Sequence, residues 1–238
     1  MNFVPEGQAS PKTSPNQSIM NIVDYMDIAG TFVFAVAGAF RATRHHLDLL
    51  GVMVLAVATG VGGGMIRDML LGATPVAAIQ SELYLSVCLV AGLFVFLASE
   101  KVATQWNRVM IMDAIGLGVF AAIGGVKGME FGLGPIGVMI MAALTATGGG
   151  VVRDILVREV PAVIRHDFYA TAALIGGAAL LGADALGWSR FAQIAVAAVT
   201  TSGLRFYAMT RGVGLPRAGR IDSDDDSASP SSHGSIVE

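Results

Sequence analysis

The sequence is poor in charge and in cysteine. Of its 238 residues, 14% are charged and 54% are hydrophobic, and the mean hydropathy is +0.65. Soluble domains carry about 25% charged residues, so this composition is typical of a protein that crosses the membrane several times. The single cysteine, Cys88, excludes an internal disulfide and a multi-cysteine metal site.

Motifs of soluble enzymes and of nucleic-acid-binding proteins are lacking as well. The chain has no P-loop, no nucleophile elbow, and no Cys or His residues at metal-ligand spacing. Basic residues are not interleaved with aromatic residues, which disfavours nucleic-acid binding. We therefore predict a protein that is not an enzyme and that binds no metal, no cofactor and no nucleic acid.

Two polar stretches flank the apolar body. Residues 1–20 contain Pro5, Pro11 and Pro15, and they lack the basic region and apolar core of a cleaved signal peptide. Residues 212–238 are rich in Gly, Pro, Ser and Asp. We predict that both stretches are disordered tails.

Long apolar runs are what the sequence has most of. A membrane-spanning helix needs about 20 mostly apolar residues. Seven segments meet this description: 24–41, 49–72, 83–99, 109–126, 133–157, 167–184 and 189–209. Glycines and prolines between them, such as Gly72, Pro75, Pro161 and Gly187, mark short turns. The sequence predicts an all-α membrane protein with seven transmembrane helices.

The chain also repeats itself. Residues 59–68 and 145–154 each place three glycines and an Arg-Asp pair in an apolar run, and Gly62 and Gly148 lie 86 positions apart. The same offset relates Asp27 to Asp113, Gly30 to Gly116, Phe34 to Phe120, Gly38 to Gly124, Gly51 to Gly137 and Pro75 to Pro161. We predict two three-helix repeats, in residues 21–107 and 108–187, with a seventh helix in residues 188–211 outside the duplication.

An odd number of helices in the first repeat makes the second repeat insert upside down, as in many transport proteins. Lys and Arg in short loops then set the orientation. One side collects Arg41, Arg44, Lys101, Arg108, Arg158, Arg165, Arg211, Arg217 and Arg220, and the other has Lys12, Lys127 and Arg190. We expect the first side to be cytoplasmic, with the N-terminus outside and the C-terminus inside.

The glycine triplets lie within the second and fifth predicted helices. They consist of Gly62, Gly63 and Gly64, and of Gly148, Gly149 and Gly150. Each glycine destabilises a helix interior by about 1 kcal/mol relative to alanine, so three in a row predict a kinked or broken helix. In a membrane such a break is tolerated along a watery path, where carbonyls can replace an ion's hydration shell. The alternative is close helix packing through small residues.

Charged residues accompany the triplets. In an inverted arrangement Asp27 shares a depth with Arg67, and Asp113 shares a depth with Arg153. We predict two symmetry-related clusters of these pairs, one at each mouth of a central path, because ionisable residues within spans normally pair or face water. The alternative is that both arginines extend to lipid headgroups.

Several other polar residues lie beside these clusters. Asp68 and Asp154 point about 100° away from the adjacent arginines, so we expect no direct pairing and assign them as second cluster members or as residues in interfacial water. Thr59, Thr145 and Thr147 lie within a turn of the glycines and either line the path or bond to the preceding turn. Arg41 and Lys127 end equivalent helices, as interfacial anchors do.

Inverted three-helix repeats, each with Gly-Gly-Gly followed by Arg-Asp, and a seventh helix make residues 20–210 similar to the prokaryotic trimeric intracellular cation (TRIC) channels. That branch overlaps a bacterial family of duplicated three-helix domains called glycine transporters. The resemblance implies a homotrimer with one K⁺- and Na⁺-conducting pore per subunit and kinks at both glycine triplets. Animal members carry a Lys-Glu-Val motif that engages an acidic phosphoinositide, where this chain has Glu100, Lys101 and Val102 in a different order.

Three functions are compatible with these features. The first is a passive cation channel gated by the Arg/Asp clusters in the inner membrane of a prokaryote, surrounded by lipid. The second is a carrier for glycine or another small amino acid, since Arg and Asp together can bind a carboxylate and an amine. The third, a scaffold without transport, gives no reason for paired charges within the membrane.

Overall fold

The computed structural model describes residues 15–98, 106–165 and 168–211, and its described portions are helical throughout. Residues 1–14 and 212–238 of the predicted tails and the segment 99–105 with Glu100, Lys101 and Val102 lie outside this portion. Residues 15–20, which were predicted as part of the N-terminal tail, belong to α1. The helices are α1 Pro15–Arg44, α2 Leu49–Leu71, α3 Ala77–Gln80, α4 Glu82–Leu97, α5 Trp106–Glu130, α6 Pro135–Leu156, α7 Ala162–Arg165, α8 Ala170–Ala185 and α9 Arg190–Arg211.

Seven of these helices have 16 or more residues and overlap the seven predicted segments. Within the described residues, four spans are long and apolar enough to cross a membrane: Val23–Arg44, Leu49–Leu71, Met110–Glu130 and Pro135–Leu156. Helices α4 and α8 are shorter apolar helices. The four-residue helices α3 and α7 follow Pro75 and Pro161 and were not predicted.

Capping residues and glycines mark the ends of several helices. The Asp48 carboxylate accepts a hydrogen bond of 2.8 Å from the Gly51 amide at the start of α2. Gly72 ends that helix in the left-handed region, at φ 71°, where glycine meets no steric penalty. Gly132 and Gly187 have φ values of 73° and 70° in the turns after α5 and α8.

Small residues and charged side chains occupy much of the interior, while many large apolar side chains face outward. Leu50, Phe94, Ile136 and Val199 are each about two-thirds exposed or more, at 71%, 67%, 74% and 71%. Alanines and glycines fill most of the helix contacts inside. A surface of this kind is expected where the surrounding solvent is hydrocarbon, and the predicted all-helical membrane fold is confirmed in this form.

The helices form two groups that meet along a common seam. Helices α1, α2 and α4 pack around one apolar core, and α5, α6 and α8 pack around the other. The rings of Phe34 and Phe120 join the two groups, with centroids 5.0 Å apart. Gly30 lies against Phe120 and Gly116 lies against Phe34. Each of these glycine contacts is therefore repeated between the equivalent residues of the other group.

Helix α9 follows the two groups in the chain and packs on α8 and α5, where its Ile194 and Ala197 join the second apolar core. Two hydroxyl-bearing residues on neighbouring positions make these contacts. A Cβ added at Gly176 would overlap the Thr201 hydroxyl, and one added at Gly118 would overlap the Ser202 hydroxyl. The missing side chains on α8 and α5 therefore allow α9 to lie close to the second group alone.

The expectation of broken helices at the glycine triplets is wrong. Helix α2 continues without interruption through its triplet, and α6, which is the fifth predicted segment, does the same. The two helices cross at the triplets, and all of these glycines are buried except Gly64, which is half-buried. Packing between the helices offsets the low helix propensity of glycine, which is why helical hydrogen bonding persists there.

Candidate functional site

The centre of the molecule is the crossing of α2 and α6, where backbone meets backbone. A Cβ added at Gly63 would overlap the carbonyl oxygen of Thr145, and one added at Gly149 would overlap that of Thr59. A Cβ at Gly148 would lie 3.2 Å from the Cα of Gly63. The first two glycines of each triplet thus allow this crossing, which is the small-residue packing that the sequence left as an alternative.

The third glycine of each triplet has a different neighbour. A Cβ at Gly64 would lie 3.7 Å from Nη2 of Arg67, and one at Gly150 would lie 3.7 Å from Nη2 of Arg153. Gly150 also faces the hydroxyl of Tyr169, at 3.1 Å from its added Cβ. The third glycines therefore border the charged clusters on either side of the crossing.

The first cluster consists of Asp27, Arg67, Asp68 and Tyr84. The Arg67 guanidinium is 1% exposed and donates from Nε to Asp68 at 2.8 Å and from Nη2 to Asp27 at 3.4 Å. The Tyr84 hydroxyl donates to the same Asp27 oxygen at 3.4 Å. Nη1 of Arg67 is buried and has no hydrogen-bond partner among the described residues.

The second cluster consists of Asp113, Arg153, Asp154 and Tyr169. Arg153 donates from Nε to Asp154 at 2.9 Å and from Nη1 to Asp113 at 3.2 Å. The Tyr169 hydroxyl donates to Asp113 at 3.4 Å. The predicted pairing of Asp27 with Arg67 and of Asp113 with Arg153 is confirmed, and both arginines face the interior instead of extending to headgroups.

One expectation about these clusters is wrong, because Asp68 and Asp154 do pair with the adjacent arginines. The side chains leave the helix in different directions, but each arginine is long enough to fold back onto its neighbour. The second carboxylate oxygen of each aspartate accepts from the backbone amide that begins a short helix, Ala77 at 3.0 Å and Ala162 at 2.9 Å. Each aspartate therefore joins its arginine to the following loop.

The three threonines near the glycines bond within their own helices. Thr59 donates to the carbonyl of Leu55 at 2.6 Å, and Thr145 donates to that of Met141 at 2.7 Å. Thr147 does the same with Ala143 at 2.8 Å. Of the two roles open from the sequence, this geometry matches bonding to the preceding turn.

Arg41 extends the second cluster. Its guanidinium forms an ion pair with Glu159 and lies 3.9 Å from Asp154. Glu159 also contacts Nε2 of His45 at 2.8 Å. At the repeat offset, Ala73 is the equivalent of Glu159 and Phe131 is the equivalent of His45. Neither side chain carries a charge, so the first cluster has no such extension.

A small cavity adjoins the first cluster. Its volume is about 10 Å³, and it is lined by Asp27, Thr31, Gly60, Val61, Gly64, Arg67, Asp68, Ala77, Ala78, Tyr84 and Phe120. This volume has room for about one water molecule. The cavity lies beside the buried arginine, and in this conformation it is too small for a hydrated ion.

Sequence reasoning missed the two tyrosines and Arg205. Tyr84 and Tyr169 are 85 positions apart, one less than the repeat offset, because the loop before α7 is one residue shorter than the loop before α3. Allowing a shift of one residue after the Arg-Asp pairs identifies them. Arg205, whose guanidinium carbon lies 4.9 Å from the centre of the Tyr169 ring, stands on α9 outside the duplication and has no such signal.

Comparisons with known proteins agree with this geometry. The model of the glycine transporter family matches residues 24–100 and again residues 110–185. A UPF0126 membrane protein of Vibrio cholerae is 39% identical over 206 residues, which cover 86% of this chain and 85% of that protein.

Solved structures are similar as well. A TRIC trimeric intracellular cation channel orthologue from Rhodobacter sphaeroides has a TM-score of 0.77 and 34% identity, covering 81% of this chain and all of that chain (100%). A second TRIC cation channel structure has the same TM-score of 0.77 and 37% identity, covering 82% of this chain and 97% of that chain. These neighbours are channels and not enzymes, in agreement with the prediction from the sequence. The chain therefore belongs to the family of prokaryotic TRIC channels, which includes the UPF0126 membrane proteins and is described by the glycine transporter model.

Proposed function

We propose that the protein is a channel for monovalent cations, K⁺ and Na⁺, with one path in each subunit. The observation that carries this proposal is the pair of equivalent buried clusters on either side of the α2–α6 crossing. Each cluster combines one arginine with two aspartates and so has a formal net charge of −1. Such a site attracts cations, and it is tolerated in a membrane where a path admits water and ions.

The proposed membrane arrangement has seven transmembrane helices in two inverted repeats. The repeats are residues 21–107 and 108–187, and helix 188–211 follows them. Three spans in the first repeat, α1, α2 and α4, invert the second repeat relative to the first. The reciprocal contacts of Gly63 with Thr145 and of Gly149 with Thr59 support a two-fold axis in the membrane plane.

The ion path runs from one cluster to the other past the glycine crossing. Asp27 and Asp68 form one mouth, and Asp113 and Asp154 form the other. Because Gly63 and Gly149 bring α2 and α6 into backbone contact, ions pass when the two helices separate there. The arginines gate the path, since a change in their pairing with the aspartates alters the charge that an ion meets. The residues proposed to line it near the crossing are Gly62, Gly64, Gly148, Gly150, Thr59, Thr145 and Thr147.

We also propose that the protein is a homotrimer in the bacterial inner membrane, surrounded by lipid. The trimeric orthologue from Rhodobacter sphaeroides supports this assembly, and an inner membrane protein of Escherichia coli that is 40% identical over 158 residues supports the location. The bias of arginine toward the side of Arg41, Arg44, Arg158 and Arg165 supports a cytoplasmic C-terminus and an external N-terminus.

Unitary currents in a planar lipid bilayer test the channel. The purified protein should pass K⁺ in discrete steps, and Asp27→Asn and Asp113→Asn should each lower the unitary conductance, because each removes a negative charge from one mouth. Asp48→Asn, which changes an exposed acid before α2 and keeps the side-chain oxygen that caps this helix, is the matched control and should leave the conductance unchanged. Unaltered K⁺ flux in both cluster variants would remove these acids from the path.

The second candidate is a carrier for glycine or another small amino acid. It is favoured by the name of the matching family and by Nη1 of Arg67, a buried donor that a substrate carboxylate would satisfy. Saturable uptake of radiolabelled glycine into proteoliposomes, together with the absence of unitary currents, would favour the carrier over the channel. Discrete K⁺ currents without saturable glycine uptake would exclude the carrier.

A further inference from the structure

The turn after α1 carries a histidine that is connected to the second cluster. Nε2 of His45 contacts Glu159 at 2.8 Å, and the other oxygen of that carboxylate pairs with Arg41. Arg41 in turn lies 3.9 Å from Asp154, the aspartate that Arg153 also binds. A series of polar contacts therefore links a histidine beyond the membrane-spanning part of α1 to a carboxylate of the proposed path.

Backbone hydrogen bonds hold the same residues together. The His45 amide donates to the carbonyl of Arg41 at 3.2 Å, and the Glu159 amide donates to that of Asp154 at 2.9 Å. The side chains of His45 and Glu159 are 32% and 25% exposed, whereas that of Asp154 is 1% exposed. Protons from water therefore have access to the histidine, while the carboxylate at the other end of the series is buried.

Histidine is the side chain whose charge ordinarily changes between about pH 5 and pH 8. Because an ionised carboxylate only accepts hydrogen bonds, Nε2 of His45 carries the hydrogen that it donates to Glu159. Nδ1 is then the nitrogen that gains a second proton. Protonation keeps the hydrogen bond and adds a positive charge to it, so that Glu159 faces two cations, His45 and Arg41.

Four further charged or titratable side chains belong to the segments that meet at His45. They are Arg44 and His46 beside it, Asp48 before α2, and Arg158 beside Glu159. The Asp48 carboxylate accepts from the Gly51 amide, and arginines keep their charge throughout this pH range. His46 is the histidine among the four, and it is exposed, so it provides a control for the experiment below.

The first cluster has no group that changes its charge in this range at the equivalent positions. Ala73 and Phe131 stand where the second cluster has Glu159 and His45. Lys127, near the end of α5, keeps its charge at these pH values. Among the described residues, a change of charge with pH is therefore expected beside the second cluster and not beside the first.

We propose that His45 makes K⁺ conduction sensitive to pH on the side of the second cluster, with acid lowering the current. This inference rests on the proposed channel function. When His45 is protonated, it compensates the charge of Glu159, and Arg41 becomes a counter-charge for Asp154. The positive charge added beside this mouth lowers the local concentration of cations there. Because His45 acts through Glu159 and Arg41, it is a positioning residue for the path.

Single-channel recording in neutral lipid tests the inference, because each recorded channel has one orientation and each chamber can be acidified separately. On the side of the second cluster, a change from about pH 8 to about pH 5.5 should lower the unitary K⁺ current about two- to fivefold, as expected for one charge added near the mouth. The same change in the other chamber should leave the current unaltered. Each channel should therefore respond to acid from one chamber only.

Substitutions of His45 and of its neighbour separate its charge from its contacts. His45→Gln keeps a hydrogen-bond donor for Glu159 and cannot become charged, so it should give the wild-type current of about pH 8 at both pH values. His45→Arg is charged at both and should give the lower current throughout. His46→Asn is the matched control and should respond as the wild type does. It changes an exposed histidine at a φ of 53°, which asparagine tolerates.

The outcomes distinguish the inference from the channel. A wild-type K⁺ current that acid changes from neither chamber, or a His45→Gln protein that keeps the full response, would show that the inference is wrong while the channel stands. The comparison also covers His166 and His233, which lie outside the described residues and are unchanged in His45→Gln. If the wild type passes no unitary K⁺ current at about pH 8, the channel and the inference fail together.

Discussion

Each buried arginine of the clusters is held by two carboxylates and helps to order them. Arg67 bridges Asp27 on α1 and Asp68 on its own helix, and Asp68 extends the link to the start of α3. A buried ion pair adds little net stability when it forms, but removing one partner leaves an uncompensated charge. The arginine is therefore required for the fold around the cluster as well as for the charge of the proposed path.

Replacement of this arginine should destabilise the protein strongly. We expect Arg67→Gln to lower the free energy of unfolding by about 3–5 kcal/mol, since Asp27 and Asp68 lose their counter-charge in a buried site. The measurement is the midpoint of thermal unfolding in detergent, followed by loss of the folded peak in size exclusion. The double variant Asp27→Asn/Arg67→Gln should recover part of the loss because one unpaired carboxylate is gone.

Arg165→Gln is the matched control for this series. Arg165 is exposed at the end of α7, so its replacement should change the unfolding free energy by no more than about 0.5 kcal/mol. An Arg67→Gln protein as stable as the Arg165→Gln protein would contradict the role assigned to the cluster.

At the scale of the helices, the glycine triplets allow two helices to pack closely and do not break either helix. The sequence was compatible with either role, because glycine weakens a helix and also allows two helices to approach. What decided between them was the position of the carbonyls of Thr59 and Thr145 on the opposite helix, which spacing along one helix does not contain. The seven long segments, in contrast, could be predicted, since hydrocarbon thickness fixes their length.

Methyl groups at the crossing should therefore be poorly tolerated. Gly63→Ala and Gly149→Ala each place a Cβ against a backbone carbonyl that no rotamer change can move. Overpacking of this kind lowers the free energy of unfolding by about 1–3 kcal/mol. The same thermal unfolding measurement applies, and the two variants should give similar losses because their contacts are reciprocal.

Gly182→Ala on α8 provides the comparison, since no atom lies within 4 Å of its added Cβ. Helix propensity predicts that this variant is more stable than the wild type by up to about 1 kcal/mol. Equal behaviour of Gly63→Ala and Gly182→Ala would show that the crossing is not tightly packed in the membrane.

For the molecule as a whole, the duplication could be predicted from the sequence, whereas the links between distant parts could not. The offset aligned Asp27 with Asp113 and Arg67 with Arg153, and both pairs form as expected. Arg205 reaches Tyr169 across 36 residues and a helix boundary, a contact that depends on how α9 packs. Sequence patterns identify repeated structure, but contacts outside the repeat can be identified only once the fold is known.

The proposed inversion of the repeats places equivalent residues on opposite sides of the membrane. Arg44 and Glu130 are equivalent, and both are exposed at the ends of α1 and α5. In a Cys88→Ala background, Arg44→Cys should react with a membrane-impermeant maleimide from the cytoplasmic side, and Glu130→Cys should react from the outside. The measurement is labelling of intact cells compared with inside-out vesicles.

The Cys88→Ala protein without an introduced cysteine is the control for labelling and should not react. Cys88 itself is buried, at 0% exposure, so its removal should leave the surface unchanged. Labelling of both introduced cysteines from the same side would exclude an inverted arrangement.

The reciprocity of the central crossing has a consequence for the history of the chain. Gly63 meets Thr145 while Gly149 meets Thr59, and Gly30 meets Phe120 while Gly116 meets Phe34. Every one of these contacts is available to two separate copies of a single three-helix polypeptide. A half-length ancestor inserted in both orientations would have assembled as an antiparallel homodimer, and its two ends would have been identical. Fusion of two such copies into one gene would release the halves from that identity, so that a further helix could attach to one end alone.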